Sequence, residues 1–392
     1  MKGAVIVQKK KNALRFLKYL PAVVLIVFIF GLGILLWATP KADYSSTEKR
    51  YLQKFPEVSP QSVFGGEFEE DFENYLADHF FARNFWMGAN SYYNLLTGRN
   101  GVDGVYCGND GWLINVPVEE KDSRVQENID SIAKFKNKIS VPVTVEIVPS
   151  TGFIMEDKLP ENHFKYNDNV FFSQLIDACN KNSMNFVDLR ESFAQNASKG
   201  EQLYYKTDHH WTTEGAYNGY RELCTQWGIE PTPKENFEIE EYGGFYGTTY
   251  SKSGFWFTPP DSVQIWNNPR NDENSISVDI TEGTQTTSYN SMFFLNHLEE
   301  DDKYPVFLDG NHALEKITNS NAPDGKLLVI KDSFSHCFAP FLADNFSEVT
   351  LVDLRYYKNS VSDLVNSGDF DRVLVLYGID NFAADTDLAW LK

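Results

Sequence analysis

Two short segments of the 392-residue chain carry the residue types of nucleophilic catalysis. The first is Tyr204-Tyr205-Lys206-Thr207-Asp208-His209-His210-Trp211-Thr212-Thr213-Glu214, an Asp-x-His pair just ahead of a helix start. In extended backbone, residues two apart share a side, so Asp208 and His210 face each other and His209 points away. The second is Leu327-Leu328-Val329-Ile330-Lys331-Asp332-Ser333-Phe334-Ser335-His336, an apolar strand running into a turn. A serine at such a strand-to-helix turn is held exposed, and the first helical amides can stabilise an oxyanion beside it. Serine is a poor nucleophile at neutral pH and needs a base. Asp208 would fix the His210 tautomer and His210 would take the Ser333 proton. Singly, an Asp-Ser at a helix start is a cap and a His beside Trp is packing. Together they point to acyl transfer or ester hydrolysis. His336 and Cys337, one turn past Ser333, read as fold residues, and His79 and His312 have no evident partner. Asp-His-His runs also occur in manganese phosphoesterases, but those need a second ligand cluster after other strands. No such cluster is evident, so neither metal nor cofactor is expected.

The elements that must position these residues are legible as strands alternating with helices. Residues 141–149, 185–189, 326–330, 349–354 and 372–377 are rich in Val, Ile and Leu and are separated by helix-length segments. That pattern predicts a three-layer α/β/α fold with a parallel sheet buried on both faces, and ligands bind beyond the carboxyl ends of such strands. The helix after the Asp-x-His pair buries Ala216, Tyr220, Leu223, Cys224 and Trp227, with Thr212 or Thr213 as cap. Residues 229–325, rich in Gly, Thr, Ser, Asn and Tyr, read as a β-rich lobe inserted into a domain spanning 141–392. Residues 41–140 read as a membrane-proximal region: an amphipathic helix over 67–81, a hairpin around Gly108-Asn109-Asp110-Gly111, and a helix over 125–138.

The first 40 residues differ from the rest. They hold six basic and no acidic residues, whereas the whole chain has 35 Lys and Arg against 55 Asp and Glu, a net charge of −20. An uncharged run from Tyr19 to Pro40 matches the roughly 20 apolar residues that span a bilayer. The basic flank predicts a cytoplasmic tail (1–18), an anchor (19–40) and an acidic body outside the cytoplasm. A signal peptide has a shorter apolar core, about 7–15 residues. Outside the cytoplasm there is no ATP or acyl-CoA, and no phosphate-binding Gly-rich motif is present. The charge excludes general nucleic-acid binding. Four scattered cysteines give neither a zinc motif nor a disulfide framework, although an even number permits pairing.

The Asp208-His209-His210-Trp211 block, the Lys331-Asp332-Ser333-Phe334 block and the stretch Glu48-Lys49-Arg50 through Phe55-Pro56 to Tyr75-Leu76-Ala77-Asp78-His79-Phe80 resemble the DHHW proteins. These are similar to alginate O-acetylation proteins and belong to the wider SGNH (GDSL-like) hydrolase superfamily. The resemblance covers about residues 45–392. It implies an SGNH-like fold, Ser333 as nucleophile, His210 as base and Asp208 as orienter, with the Asp-x-His block preceding the serine as in the circularly permuted branch. Gly378-Ile379-Asp380-Asn381 resembles the superfamily's Gly-x-Asn-Asp block with its last two residues exchanged, and Lys331 replaces the usual Gly. Arg355, Tyr356 and Asn381 are expected on the substrate side. The implied activity is O-acetyl transfer to a cell-surface or secreted polysaccharide through an acetyl-serine, with a multi-pass membrane acyltransferase partner supplying acetyl groups. An esterase or deacetylase with the same triad, or a non-catalytic glycan-binding component, is the alternative. The implied setting is a bacterial envelope.

Overall fold

A computed structural model describes residues 2–45 and 47–391. They form two compact units, Met1–Asn90 and Ser91–Lys392.

The first unit begins with α1 (Lys2–Ala38). Its segment Lys18–Ala38, 21 residues, is long and apolar enough to cross a membrane, a property it shares with signal sequences. The side chains of the basic residues Lys2 to Arg15 lie outside the described residues. At the end of α1 the Trp37 ring packs near Phe55 and Tyr75, with centroids 6.4 and 6.5 Å away. Tyr75 is the buried residue of α2 (Glu67–Asp78), the amphipathic helix expected there. Two arginines tie the unit together: Arg50 holds Asp78, and Arg83 holds Glu48 at 2.7 Å.

The second unit is built on eight strands: β1 (Val143–Val148), β2 (Asn185–Asp188), β3 (Ile276–Glu282), β4 (Gln285–Tyr289), β5 (Leu314–Asn319), β6 (Lys326–Lys331), β7 (Glu348–Asp353) and β8 (Arg372–Gly378). Their order is β4-β3-β5-β7-β6-β8-β1-β2. The five strands from β7 to β2 are parallel, and β5, β3 and β4 continue the sheet antiparallel. The β-rich insertion therefore divides. Three of its strands widen the main sheet, while Glu238–Phe245 and Asp261–Asn267 form a separate antiparallel pair.

Strand periodicity accounts for the two covering layers. Successive side chains alternate faces, so Leu327 and Val329 of β6 join Trp211, Tyr220 and Phe341 on one side. Leu328 and Ile330 join Ile129, Phe172 and Val375 on the other. The second face is covered by α3 (Val125–Lys136) and α4 (Asp168–Lys181), the first by α5 (Thr213–Trp227). Residues 91–140, read from sequence as part of the membrane-proximal region 41–140, pack here: Tyr106, Trp112 and Ile114 of the hairpin join the Trp211 core, and Val125, Ile129 and Ile132 of α3 join the opposite core. All four cysteines are free thiols.

Candidate active site

The site forms where three neighbouring parallel strands end. β6 runs into Asp332 and Ser333, β7 into Asp353 and Arg355, and β8 into Gly378 and Asn381. Asp332 caps the turn that starts at Ser333: its Oδ1 accepts the Phe334 N–H at 2.9 Å. Its Oδ2 accepts the Gly378 N–H at 2.9 Å and the Asn381 amide at 2.8 Å. The block after β8 thus braces the nucleophile turn. Burial pushes the Asp332 carboxyl up, opposed by these accepted bonds. Asn381 lines the cavity, and its amide is engaged with Asp332.

The second motif arrives on a tight loop. Tyr204 pairs with Trp211 across it, and the Tyr205 N–H donates to the His210 carbonyl at 3.2 Å. Asp261 of the separate strand pair anchors the loop, accepting the Thr207 N–H at 2.7 Å and the Thr207 hydroxyl at 2.6 Å. Trp211 then joins the two motifs, its indole N–H donating to the Phe334 carbonyl at 2.8 Å. The ring fits because α5 presents glycines to it: a Cβ at Gly219 would meet Trp211 at 2.9 Å.

These supports bring the three expected residues into one chain. The Ser333 hydroxyl lies 2.7 Å from His210 Nε2, and His210 Nδ1 lies 2.5 Å from Asp208 Oδ1. Asp208 Oδ1 also accepts the His210 N–H at 2.9 Å, while Oδ2 accepts the Thr248 N–H at 2.6 Å and hydroxyl at 2.9 Å. Four donors on one carboxylate fix its orientation. With Nδ1–H donating to Asp208, Nε2 is left as the acceptor of the Ser333 proton. Ser333 is 9% exposed, His210 5% and Asp208 2%. They are buried enough to be rigid and still line a cavity of about 470 Å³.

His209 departs from expectation. Residues 206–210 bend rather than extend, so its ring stands against His210 at a centroid distance of 3.8 Å and its Nδ1 meets the Thr248 hydroxyl at 2.6 Å. Asp208, His209 and His210 have ligand atoms within 4.8 Å of one another, as a metal group would. Both ring nitrogens of His210 and both Asp208 oxygens are, however, engaged in hydrogen bonds within the protein.

Two further groups belong to the site: Tyr304, which carries no local sequence signal, and Lys331, visible in the sequence only as a departure from Gly. Tyr304, inside the insertion, stacks on His210 at 4.1 Å and 11°, and its hydroxyl donates to the Ser333 carbonyl at 3.0 Å. Lys331, fully buried, has its Nζ 3.0 Å from Glu315 of β5 and 2.7 Å from His336 Nε2. Arg355 lines the cavity, donating to Asp353 and, at 2.7 Å, to Asn311. Although burial opposes its charge, Asp353 holds Arg355 above its ordinary pKa. Tyr356 is not among the lining residues; it is 51% exposed, with its ring 5.5 Å from the Arg355 guanidinium. Behind Asn381, Ser150 Oγ touches both Asp168 at 3.0 Å and Asp380 at 2.9 Å. Burial pushes these carboxyls up, to about 6 and about 7.

Residues 151–352, which include both motifs, match the DHHW protein family. The chain belongs to the DHHW family. Two solved structures share its fold closely. A DHHW family protein from Eubacterium siraeum is 21% identical over 74% of this chain and 97% of its own, at TM-score 0.61. Bacillus cereus PatB1 with a sulfonyl adduct is 20% identical over 75% of this chain and 100% of its own, at TM-score 0.62. The O-acetyltransferase domain of Pseudomonas putida AlgJ aligns more distantly, 14% identical over 74% of this chain and 95% of its own, at TM-score 0.48. No curated protein sequence matches the chain. The DHHW signature itself is the loop just described, its Asp bonded to its second His, that His to the serine, and its Trp to the serine turn.

Proposed function

We propose that this DHHW protein is a membrane-anchored O-acetyltransferase that moves acetyl groups onto hydroxyls of a cell-surface or secreted polysaccharide. The observation that carries the reading is the continuous hydrogen-bond chain from Ser333 through His210 to Asp208. It stands at the carboxyl ends of parallel strands, in a cavity large enough for a sugar. In the first half-reaction Ser333 Oγ attacks the carbonyl carbon of an acetyl ester while His210 Nε2 takes its proton. The C–O bond of the donor then breaks, and the departing alkoxide collects that proton from His210. Asp208 supports the imidazolium between these steps. The developing oxyanion needs amide donors. The Ser333 N–H, which bonds to no group among the described residues, is positioned on the reacting residue itself. In the second half-reaction a sugar hydroxyl gives its proton to His210, attacks the acetyl-serine and displaces Ser333 Oγ, which recovers the proton.

The fold relative PatB1 has been obtained with a sulfonyl adduct, consistent with a nucleophile at such a site. The apolar segment Lys18–Ala38 would anchor the enzyme with its body outside the cytoplasm. Acyl-CoA being absent there, a multi-pass membrane acyltransferase partner would deliver the acetyl group. The test is genetic: cells whose only copy carries Ser333→Ala should lose polysaccharide O-acetylation, and normal acetylation in those cells would defeat the proposal. Purified enzyme then separates the acceptors, since a transferase yields acetylated oligosaccharide and an esterase only acetate.

A further inference from the structure

The group on the far side of Ser333 from Asn381 is unusual. Lys331 occupies the last position of β6, fully buried, with Nζ 3.0 Å from Glu315 and 2.7 Å from His336 Nε2. An ammonium group donates and cannot accept, so Nε2 is the acceptor and the ring proton sits on Nδ1. Nδ1 is buried and has no partner among the described residues. His336 is 1% exposed, yet it lines the cavity beside Ser333. Burial first, then the charges of Lys331 and Arg355, holds the ring well below the usual histidine pKa, so it keeps one N–H and stays neutral. A buried donor without an acceptor is costly to retain, which is a reason to look for its partner in the ligand.

What that ligand is follows from the cavity. An acetyl group has three heavy atoms, and a space of about 470 Å³ is of the size that houses a much larger ligand. The cavity near His336 is lined by Asn311, Asp353 and Arg355, hydrogen-bonding groups that suit sugar hydroxyls rather than a methyl group. We propose that His336 is a specificity residue whose Nδ1–H, fixed in that tautomer by Lys331, donates to an oxygen of the sugar acceptor. The proposal rests on the acetyltransferase reading and adds to it the residue that selects sugar over water.

The test uses two amides that each reproduce one ring nitrogen. His336→Gln can accept from Lys331 but offers nothing at the Nδ1 position. His336→Asn places an N–H near Nδ1 but gives up Lys331. Full-length protein in detergent is acetylated with p-nitrophenyl acetate and mixed with cellopentaose or chitopentaose. The quantity read is the partition of acetyl-Ser333 between sugar and water, for whichever sugar the wild type acetylates. In His336→Gln the transfer-to-hydrolysis ratio should fall at least tenfold. In His336→Asn it should stay within threefold of wild type while the melting temperature drops. The reverse pattern would overturn the proposal and leave the ring as a structural partner of Lys331. An unchanged ratio with slower acylation in His336→Gln would overturn it as well, moving the contact to the acetyl side. If wild-type protein forms no acetyl-Ser333, the acetyltransferase reading fails and takes the proposal with it.

Discussion

Replacing Asp208 by Asn keeps the size of the side chain and removes its charge, and the surrounding donors dictate the consequence. In the wild type the carboxylate accepts from four donors: His210 N–H at 2.9 Å and Nδ1 at 2.5 Å on one oxygen, Thr248 N–H at 2.6 Å and hydroxyl at 2.9 Å on the other. Asn has one oxygen and an NH₂. If the oxygen faces His210, the NH₂ meets the Thr248 N–H, two donors in collision. If the amide flips, the NH₂ faces His210 Nδ1, which must become the acceptor, so the ring proton moves to Nε2. In that tautomer His210 cannot take the Ser333 proton. Loss of the correct tautomer in a serine-protease triad costs about 10⁴-fold in rate, ~5.5 kcal/mol of barrier. The same order is expected here for acylation by p-nitrophenyl acetate, measured in stopped flow on full-length protein. The melting temperature controls for folding, and ¹⁵N NMR of His210 reports the tautomer. A folded Asp208→Asn protein that keeps more than a tenth of the wild-type acylation rate would refute the reasoning.

Three other substitutions follow from the same structure. A Cβ at Gly247 would press into Asp208, so Gly247→Ala should lower acylation by about 10- to 100-fold, the effect of a misplaced catalytic group; wild-type turnover would show that the carboxylate tolerates displacement. Lys331→Met leaves Glu315 as a buried, unpaired carboxylate and should cost about 3–5 kcal/mol of stability in urea titration, with part recovered in Lys331→Met/Glu315→Leu. Asp168 and Asp380 have pKa values raised in the folded protein to about 6 and about 7, above those of an unfolded chain. Their contribution to stability is therefore present in full below about pH 4 and is lost as pH rises through the folded values. Asp380→Asn should flatten the fall in melting temperature between pH 5 and 8 and stabilise the protein most at pH 8; an unaltered pH profile would remove Asp380 as the titrating group.

The parts of the site that could be read in the sequence are those in which neighbouring residues act together. Asp208 and His210 stand two apart, and Ser333 follows an apolar strand, so each motif is complete within a few residues. The main strands were legible for a similar reason: β6 and β8 are buried on both faces and read as unbroken apolar runs. What was hidden depends on contacts across long separations. Tyr304 lies 94 residues from His210 and 29 from Ser333, in a polar segment where a tyrosine gives no signal, yet it touches both. Thr248, which donates twice to the Asp208 carboxylate, comes from a short helix 40 residues away. Lys331 was conspicuous as a departure from Gly, but its role required Glu315, brought beside it only by the sheet order β5-β7-β6. The antiparallel strands β3 and β5 alternate buried and half-buried residues, a weak pattern that merged with the surrounding polar sequence. His209 stands against His210 rather than away from it because the loop bends at 206–210, where the pattern of residues two apart suggests an extended strand.

The central claim is that Ser333 carries the acetyl group, and peptide mass spectrometry tests it most directly. Full-length protein in detergent, incubated with p-nitrophenyl acetate, quenched in acid and digested, should carry one added acetyl group on the peptide containing Ser333, localised to that residue. Ser333→Ala protein should carry none there. An unmodified Ser333 peptide in folded wild-type protein, or equal ester turnover by wild type and Ser333→Ala, would contradict the account.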